Sequence, residues 1–174
     1  MKKLSAYEIA LSALSCAIAT VLLTVGTYSE IFLFSGYLFG SIALMMPLVK
    51  QSYWGYILAY ASTCLLSFIF NPARSLDLLP FVLFFGVHPL VNERQLKSKI
   101  NRWVACAAKA VWFDCIMLFI WKFVFGAITT IPMLDQYIVP IVLVFGTAFF
   151  VFYDYIMYRW RYMILMLVKR ISKK

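Results

Sequence analysis

The chain has 174 residues, of which 64% are hydrophobic and 13% charged, with a formal net charge of +9. Soluble domains are nearer half apolar and a quarter charged, so a soluble protein of this size has nowhere to hide so much apolar surface. The bilayer is then the solvent for most of the chain, and a separate soluble catalytic domain is not expected. The positive residues fall in short runs between and after apolar segments, which is a pattern of topology and anionic-lipid contact, so nucleic acid is not an expected partner.

Taken in order, the apolar segments are 7–28, 31–49, 53–70, 78–91, 103–125 and 137–158. The first follows Lys2 and Lys3 but is too long for the core of a cleavable signal, so it reads as a membrane helix. Between the third and fourth lies the loop Asn71 to Asp77, between the fourth and fifth the polar stretch Asn92 to Arg102, and between the last two an outer loop, Gly126 to Gln136. A helix needs roughly 20 apolar residues to cross the hydrocarbon core. Five segments satisfy this. The fourth is short and carries Pro80, Gly86 and Pro89.

Charge argues that the fourth segment also crosses. With six spans the inner side receives Lys2, Lys3, Lys50, Arg94, Lys97, Lys99, Arg102 and the basic end of the chain, and the outer loops hold Arg74 alone beside Glu30, Asp77 and Asp135. With five, the basic end lies outside, against the positive-inside bias. The expected fold is therefore an all-α polytopic bundle of about six transmembrane helices over residues 1–158, with both termini cytoplasmic, in a cell membrane. Residues 159–174 form a basic tail. Met163, Ile164, Met166, Leu167 and Ile171 recur there at roughly helical spacing, which fits an amphipathic surface helix or an extension of helix six. A plain stop signal is the alternative.

Cys16, Cys64, Cys106 and Cys115 lie in or beside apolar segments without zinc-ligand spacing, and read as small packing residues. No metal or cofactor is expected. HExxH, GxSxG and P-loop patterns are absent from the sequence, so no enzyme activity is expected, and ATP-driven work would need separate ATPase subunits.

Several residues stand out. Ala6, Ala10, Ala13 and Ala17 share one face of helix one at its cytoplasmic half. Small residues in a stripe let another helix approach closely, either inside the bundle or on a partner subunit. Gly55 and Ala59 make a weaker stripe on segment three. Among intramembrane polar residues, Asp114 lies near the middle of helix five, where a charge costs about 2.5–3.5 kcal/mol, so it should face the bundle or be protonated. Lys109 is rotated from it by roughly 140° on a regular helix. Glu8, His88, Lys109 and Asp154 fall toward the inner half. They fit either a polar layer pairing Lys109 with Glu8 or Asp154, or a proton path through His88 and Asp114. Segment four is a further pointer, because Gly/Pro-interrupted helices mark many transporter sites, although a bent helix held by its neighbours fits equally.

A chain of this size with six helices, both ends inside, basic inner loops and Ala13-Leu-Ser-Cys-Ala17 on helix one resembles the substrate-binding S components of energy-coupling factor transporters. The resemblance implies that the alanine face meets a transmembrane coupling subunit served by ATPases. It also implies a small, vitamin-like ligand near the outer face, capped by the loop after helix one and lined by helices four to six. The matching positions are Tyr28, Glu30, Asn71, Arg74, Asp77, Trp121, Lys122, Asp135 and Tyr137. Arg74 and Lys122 could grip a carboxylate or phosphate. The bland alternative pairs Arg74 with Asp77 and lets Lys122 snorkel to headgroups. A structural protein anchoring a cell-envelope assembly is a second reading of the same pattern.

Overall fold

The computed structural model describes residues 4–125 and 132–171. The protein is an all-helical bundle, with no strand among the described residues. α1 spans Ala6–Tyr28, α2 Leu33–Val49, α3 Tyr53–Phe70, α4 Phe81–Lys97 and α5 Arg102–Val124. α6 runs through three stretches in succession, Pro132–Ile141, Val142–Gly146 and Thr147–Ile171. Four of these helices, α1, α3, α5 and the 136–168 part of α6, are long and apolar enough to cross a membrane.

Local chemistry sets the ends. Ser5 caps α1 in a reciprocal capping box with Glu8, whose carboxylate accepts from the Ser5 backbone and hydroxyl. Glu8 therefore closes a helix start, and Lys109 finds its partner elsewhere. Asn101 caps α5 by accepting from the Trp103 amide at 2.9 Å. α2, with 17 residues at most, falls below the length that its sequence segment promised.

The fourth segment differs most from its sequence reading. A short 3₁₀ stretch, Pro72–Leu78, meets α4 at a bend of 48°. α4 begins with a π turn, Phe81–Phe85, and then runs as α-helix His88–Lys97, with Pro89 in its first turn, where no intrahelical N–H is lost. The stretch read as a loop from Asn92 is thus helical as far as Lys97. In the same way, Pro132 to Gln136 belongs to α6 rather than to an outer loop, whereas 126–131 lie outside the described residues. The helix also continues unbroken through the basic tail to Ile171.

A broken helix leaves backbone carbonyls that apolar surroundings cannot solvate. Hydroxyls of α2 and α3 supply the missing donors. Tyr37 donates to the Asp77 carbonyl and Tyr56 to that of Gly86. Ser41 donates to the Phe85 carbonyl at 2.7 Å and Tyr60 to that of Val82 at 2.5 Å. Each helix spends an i, i+4 pair on this, so both donors lie on the face turned to the break.

The close approach of α1 to α2 uses glycine. A Cβ on Gly26 would lie 3.1 Å from the Gly36 Cα, and one on Gly36 would lie 3.0 Å from the Leu22 carbonyl oxygen. Against α3, a Cβ on Gly55 would fall 2.6 Å from the Ser12 hydroxyl. The buried face of α1 is Ser12, Ser15, Cys16, Ala19, Thr20, Leu23, Gly26 and Thr27. Ala6, Ala10, Ala13 and Ala17 are exposed on the opposite side. The alanine stripe is therefore not used inside the bundle. At the centre Phe84 is fully buried, 4.7 Å from the Trp112 ring and 4.9 Å from the Phe113 ring, with Phe150, Tyr153 and His88 around it. By contrast, α6 leaves Val139, Val144, Phe145, Phe152 and Tyr155 exposed. Exposed apolar side chains of that size and number on one helix fit a partner or a lipid phase.

Side-chain contacts sort the helix ends into two groups. Lys50 stacks over Tyr7, Lys97 bonds to Tyr53, Arg102 stacks over Tyr158 and Arg161 pairs with Glu93. These residues share one end of the bundle. Tyr28 donates to the Phe70 carbonyl, Asn71 reaches Thr24, and Tyr37 meets Asp77 at the other. Successive helices alternate between the two ends.

Candidate functional site

At the end holding Tyr28, Asn71 and Asp77, residues of three helices border one cavity. α2 contributes Leu33, Phe34 and Tyr37. α5 contributes Phe113, Met117, Ile120 and Trp121. α6 contributes Ile138, Ile141, Val142, Phe145, Gly146 and Phe149. With Asp77 and Pro80 they line an open-sided cavity of about 600 Å³. This is within the usual size range of small-ligand pockets, and an apolar wall with a few polar groups is their usual character.

Two irregularities of the helices lie at it. Pro140 lies inside α6 and cannot donate to the preceding turn. The π turn Val142–Gly146 follows at once and lines the cavity. α5 likewise changes to a π turn at Trp121–Phe125, with Trp121 on the wall. Such turns widen a helix and re-aim its side chains, and they occur often at functional sites.

Of the residues singled out for a ligand, Asp77 and Trp121 line this cavity. Arg74 lies beside it and donates from Nε to Asp77 Oδ2 at 2.7 Å, so its guanidinium engages the protein's own carboxylate. Asn71 is buried and donates to the Ser67 carbonyl at 2.8 Å, serving as a helix-end residue. Tyr28 and Tyr137 are exposed and Lys122 is exposed beside the Phe123 ring; none of the three lines the cavity. The side chains of Glu30 and Asp135 lie outside the described residues.

The intramembrane polar residues divide into two groups. Lys109 Nζ lies 2.6 Å from Asp154 Oδ1 and donates to Asn92 Oδ1 at 3.0 Å. His88 Nε2 is 3.0 Å from the same Asp154 oxygen, in a direction that makes a contact rather than an aligned hydrogen bond. These four residues come from α4, α5 and α6 and tie them together near the basic end. Asp114 is not among them. Its Oδ2 accepts from the Thr147 hydroxyl at 2.8 Å, a tie between α5 and α6 nearer the cavity. No continuous chain of hydrogen bonds joins His88 to Asp114 among the described residues. Nor does any cluster of three or more His, Cys, Asp or Glu side chains suited to a metal occur there.

Sequence reasoning missed most of the cavity wall. Apolar lining residues have the same signature as core or lipid-facing ones. The usable signal was Pro140 followed six residues later by Gly146, an interruption of the same kind as that noted in segment four.

No family model, curated protein or solved structure matches the chain. The functional reading therefore rests on its own geometry.

Proposed function

We propose that the protein is a multi-pass cell-membrane subunit that binds a small solute, in the manner of an energy-coupling factor S component. The observation that carries this reading is the 600 Å³ apolar cavity at the end opposite the basic residues. In this reading the chain crosses the bilayer six times, counting α2 and the bent α4, and both termini are cytoplasmic. Lys50, Arg94, Lys97, Arg102, Arg159 and Arg161 then face the cytoplasm, consistent with the positive-inside rule. The cavity opens toward the outer leaflet. The exposed alanine stripe of α1 is offered to a transmembrane coupling subunit, which ATPases would drive. The reading assigns no catalytic residue to the chain.

The test is to purify the protein in a mild detergent and analyse its bound small molecules by mass spectrometry. A metabolite present at one per chain, and lost when Met117→Trp fills the cavity, supports the reading. Repeated absence of any such molecule, together with co-purification of cell-envelope proteins, would replace it with the scaffold reading. The exposed alanine face serves that second reading equally well, so the cavity decides between them.

A further inference from the structure

A second open-sided recess, of about 420 Å³, lies between α4 and α5 near the basic end. Its apolar lining is Val91, Ile100, Val104, Ala105 and Ala108. Ala108 is one helical turn from both Val104 and Ala105, so the three share one face of α5. The two alanines leave room on that face that longer side chains would fill. From Arg102, where α5 begins, Ala108 is about 9 Å along the helix. The recess therefore runs along the first turns of α5 rather than across its tip.

Its charge is one-sided. Arg94 and Lys109 line the recess and no carboxylate does. Lys109 is already engaged by Asp154 at 2.6 Å and Asn92 at 3.0 Å. Arg94 is exposed and forms no ion pair among the described residues. Glu93, next to it in the chain, is buried and held by two nitrogens of Arg161. Lys97, Lys99 and Arg102 add positive charge around the turn that follows α4. Trp103 beside them is 81% exposed, and tryptophan favours the headgroup layer.

We propose that this recess holds one anionic phospholipid, with its phosphate on Arg94 and an acyl chain along Val104, Ala105 and Ala108. A guanidinium matches phosphate oxygens in a two-pronged geometry, and its stem can lie on apolar surface while its head stays among the headgroups. Basic recesses between helices at the membrane surface suit anionic headgroups. A soluble anion gains the Arg94 contact but nothing from the apolar wall. A zwitterionic lipid brings its own cation to a recess with no carboxylate to receive it. The inference rests on the chain spanning a bilayer and is independent of the solute-binding reading of the other cavity.

Native mass spectrometry of the delipidated protein in detergent tests this, with phosphatidylglycerol, phosphatidylcholine of the same chains and glycerol phosphate as probes. Phosphatidylglycerol should add one saturable copy per chain, about tenfold or more tighter than phosphatidylcholine, and excess glycerol phosphate should not displace it. Arg94→Gln should weaken phosphatidylglycerol by about fivefold, the scale of one basic residue at a lipid surface, and leave phosphatidylcholine unchanged. Ala108→Trp, or Val104→Trp on the same exposed face, should remove the saturable copy while gel filtration shows a monodisperse protein. Equal binding of the two lipids, or no effect of Arg94→Gln, would overturn the headgroup assignment and the proposal with it. Displacement by glycerol phosphate would make this a site for a soluble anion. A saturable copy retained by both tryptophan variants would place the lipid elsewhere, and either result overturns the proposal.

Discussion

The buried cluster of Lys109, Asp154, Asn92 and His88 makes an asymmetric prediction about stability. The Lys109 side chain is 5% exposed and that of Asp154 is 17% exposed. Replacing Asp154 with Asn leaves a buried ammonium whose remaining polar partner is Asn92. Removing one member of a buried pair costs about 3–5 kcal/mol, because the other charge stays in a poor solvent. Replacing Lys109 with Met is milder. Asp154 keeps its contact with His88 at 3.0 Å, and its partial exposure admits water. A cost of about 2 kcal/mol is expected there, below the range for a fully stranded charge. The double variant strands no charge, so it should cost less than the sum of the two, with a coupling of about 2–3 kcal/mol. Reversible unfolding in mixed micelles with rising SDS fraction, followed by Trp fluorescence, measures all three. Equal costs for the two single variants, or additivity in the double, would refute the account.

Tyr56→Phe and Tyr60→Phe should each destabilise by about 0.5–1.5 kcal/mol and speed amide exchange around Val82 to His88, since each leaves a broken-helix carbonyl without its donor; unchanged exchange there would remove the bracing role. Gly26→Ala should cost about 1–3 kcal/mol, because the new Cβ meets Gly36 backbone that cannot move aside. Ala13→Trp with Ala17→Trp should shift the same unfolding curve by about 0.5 kcal/mol or less, yet abolish capture of a coupling subunit, and retained capture would dismiss the α1 docking face. Ser98→Cys, at the exposed turn after α4, should react with an impermeant maleimide only once the cytoplasmic side is opened, over the background of the parent protein. Reaction in intact cells would overturn the topology and the location of the ligand site with it.

The parts of the fold legible in the sequence were those governed by local information. α3 begins and ends where its apolar run does, at Tyr53 and Phe70, between the polar Ser52 and Asn71. α1 was visible for the same reason. The end of α4 was not, because Asn92 and Glu93 look like the start of a polar loop. Their buried helical placement depends on Lys109 and on Arg161, 68 residues from Glu93, which holds that carboxylate with two nitrogens at 2.8 and 3.2 Å. Partners so distant leave no trace in local periodicity. The break before α4 was legible from Pro80 and Gly86, but its remedy was not, since Tyr37, Ser41, Tyr56 and Tyr60 resemble ordinary residues of apolar helices. The candidate ligand residues were chosen for polarity. The cavity is built mainly from apolar side chains, so among the described residues of that set only Asp77 and Trp121 line it.

Polar ties and apolar contacts are unevenly divided along the bundle, and this bears on how a ligand would enter. Near the basic end, α6 is fastened by Asp154 to Lys109, by Arg161 to Glu93 and by Tyr158 to Arg102. These contacts are directional, and breaking them strands charge. Toward the cavity, the Phe149 ring of α6 meets Phe34 of α2 and Phe113 of α5, with the Thr147–Asp114 bond at the inner limit. Apolar contacts are non-directional and, in a bilayer, exchange for lipid contacts at little cost. The outer part of α6 should therefore move away from α5 and α2 about a fixed inner part, with the π turn at Val142–Gly146 taking up the bend. Spin labels at Ser29 and Val139 should give a broad distance distribution that narrows when a ligand fills the cavity. Labels at Gln51 and Arg159 should give a narrow one in both states. Two equally narrow distributions without ligand would mean a rigid bundle, and entry would then require a route other than the parting of α6.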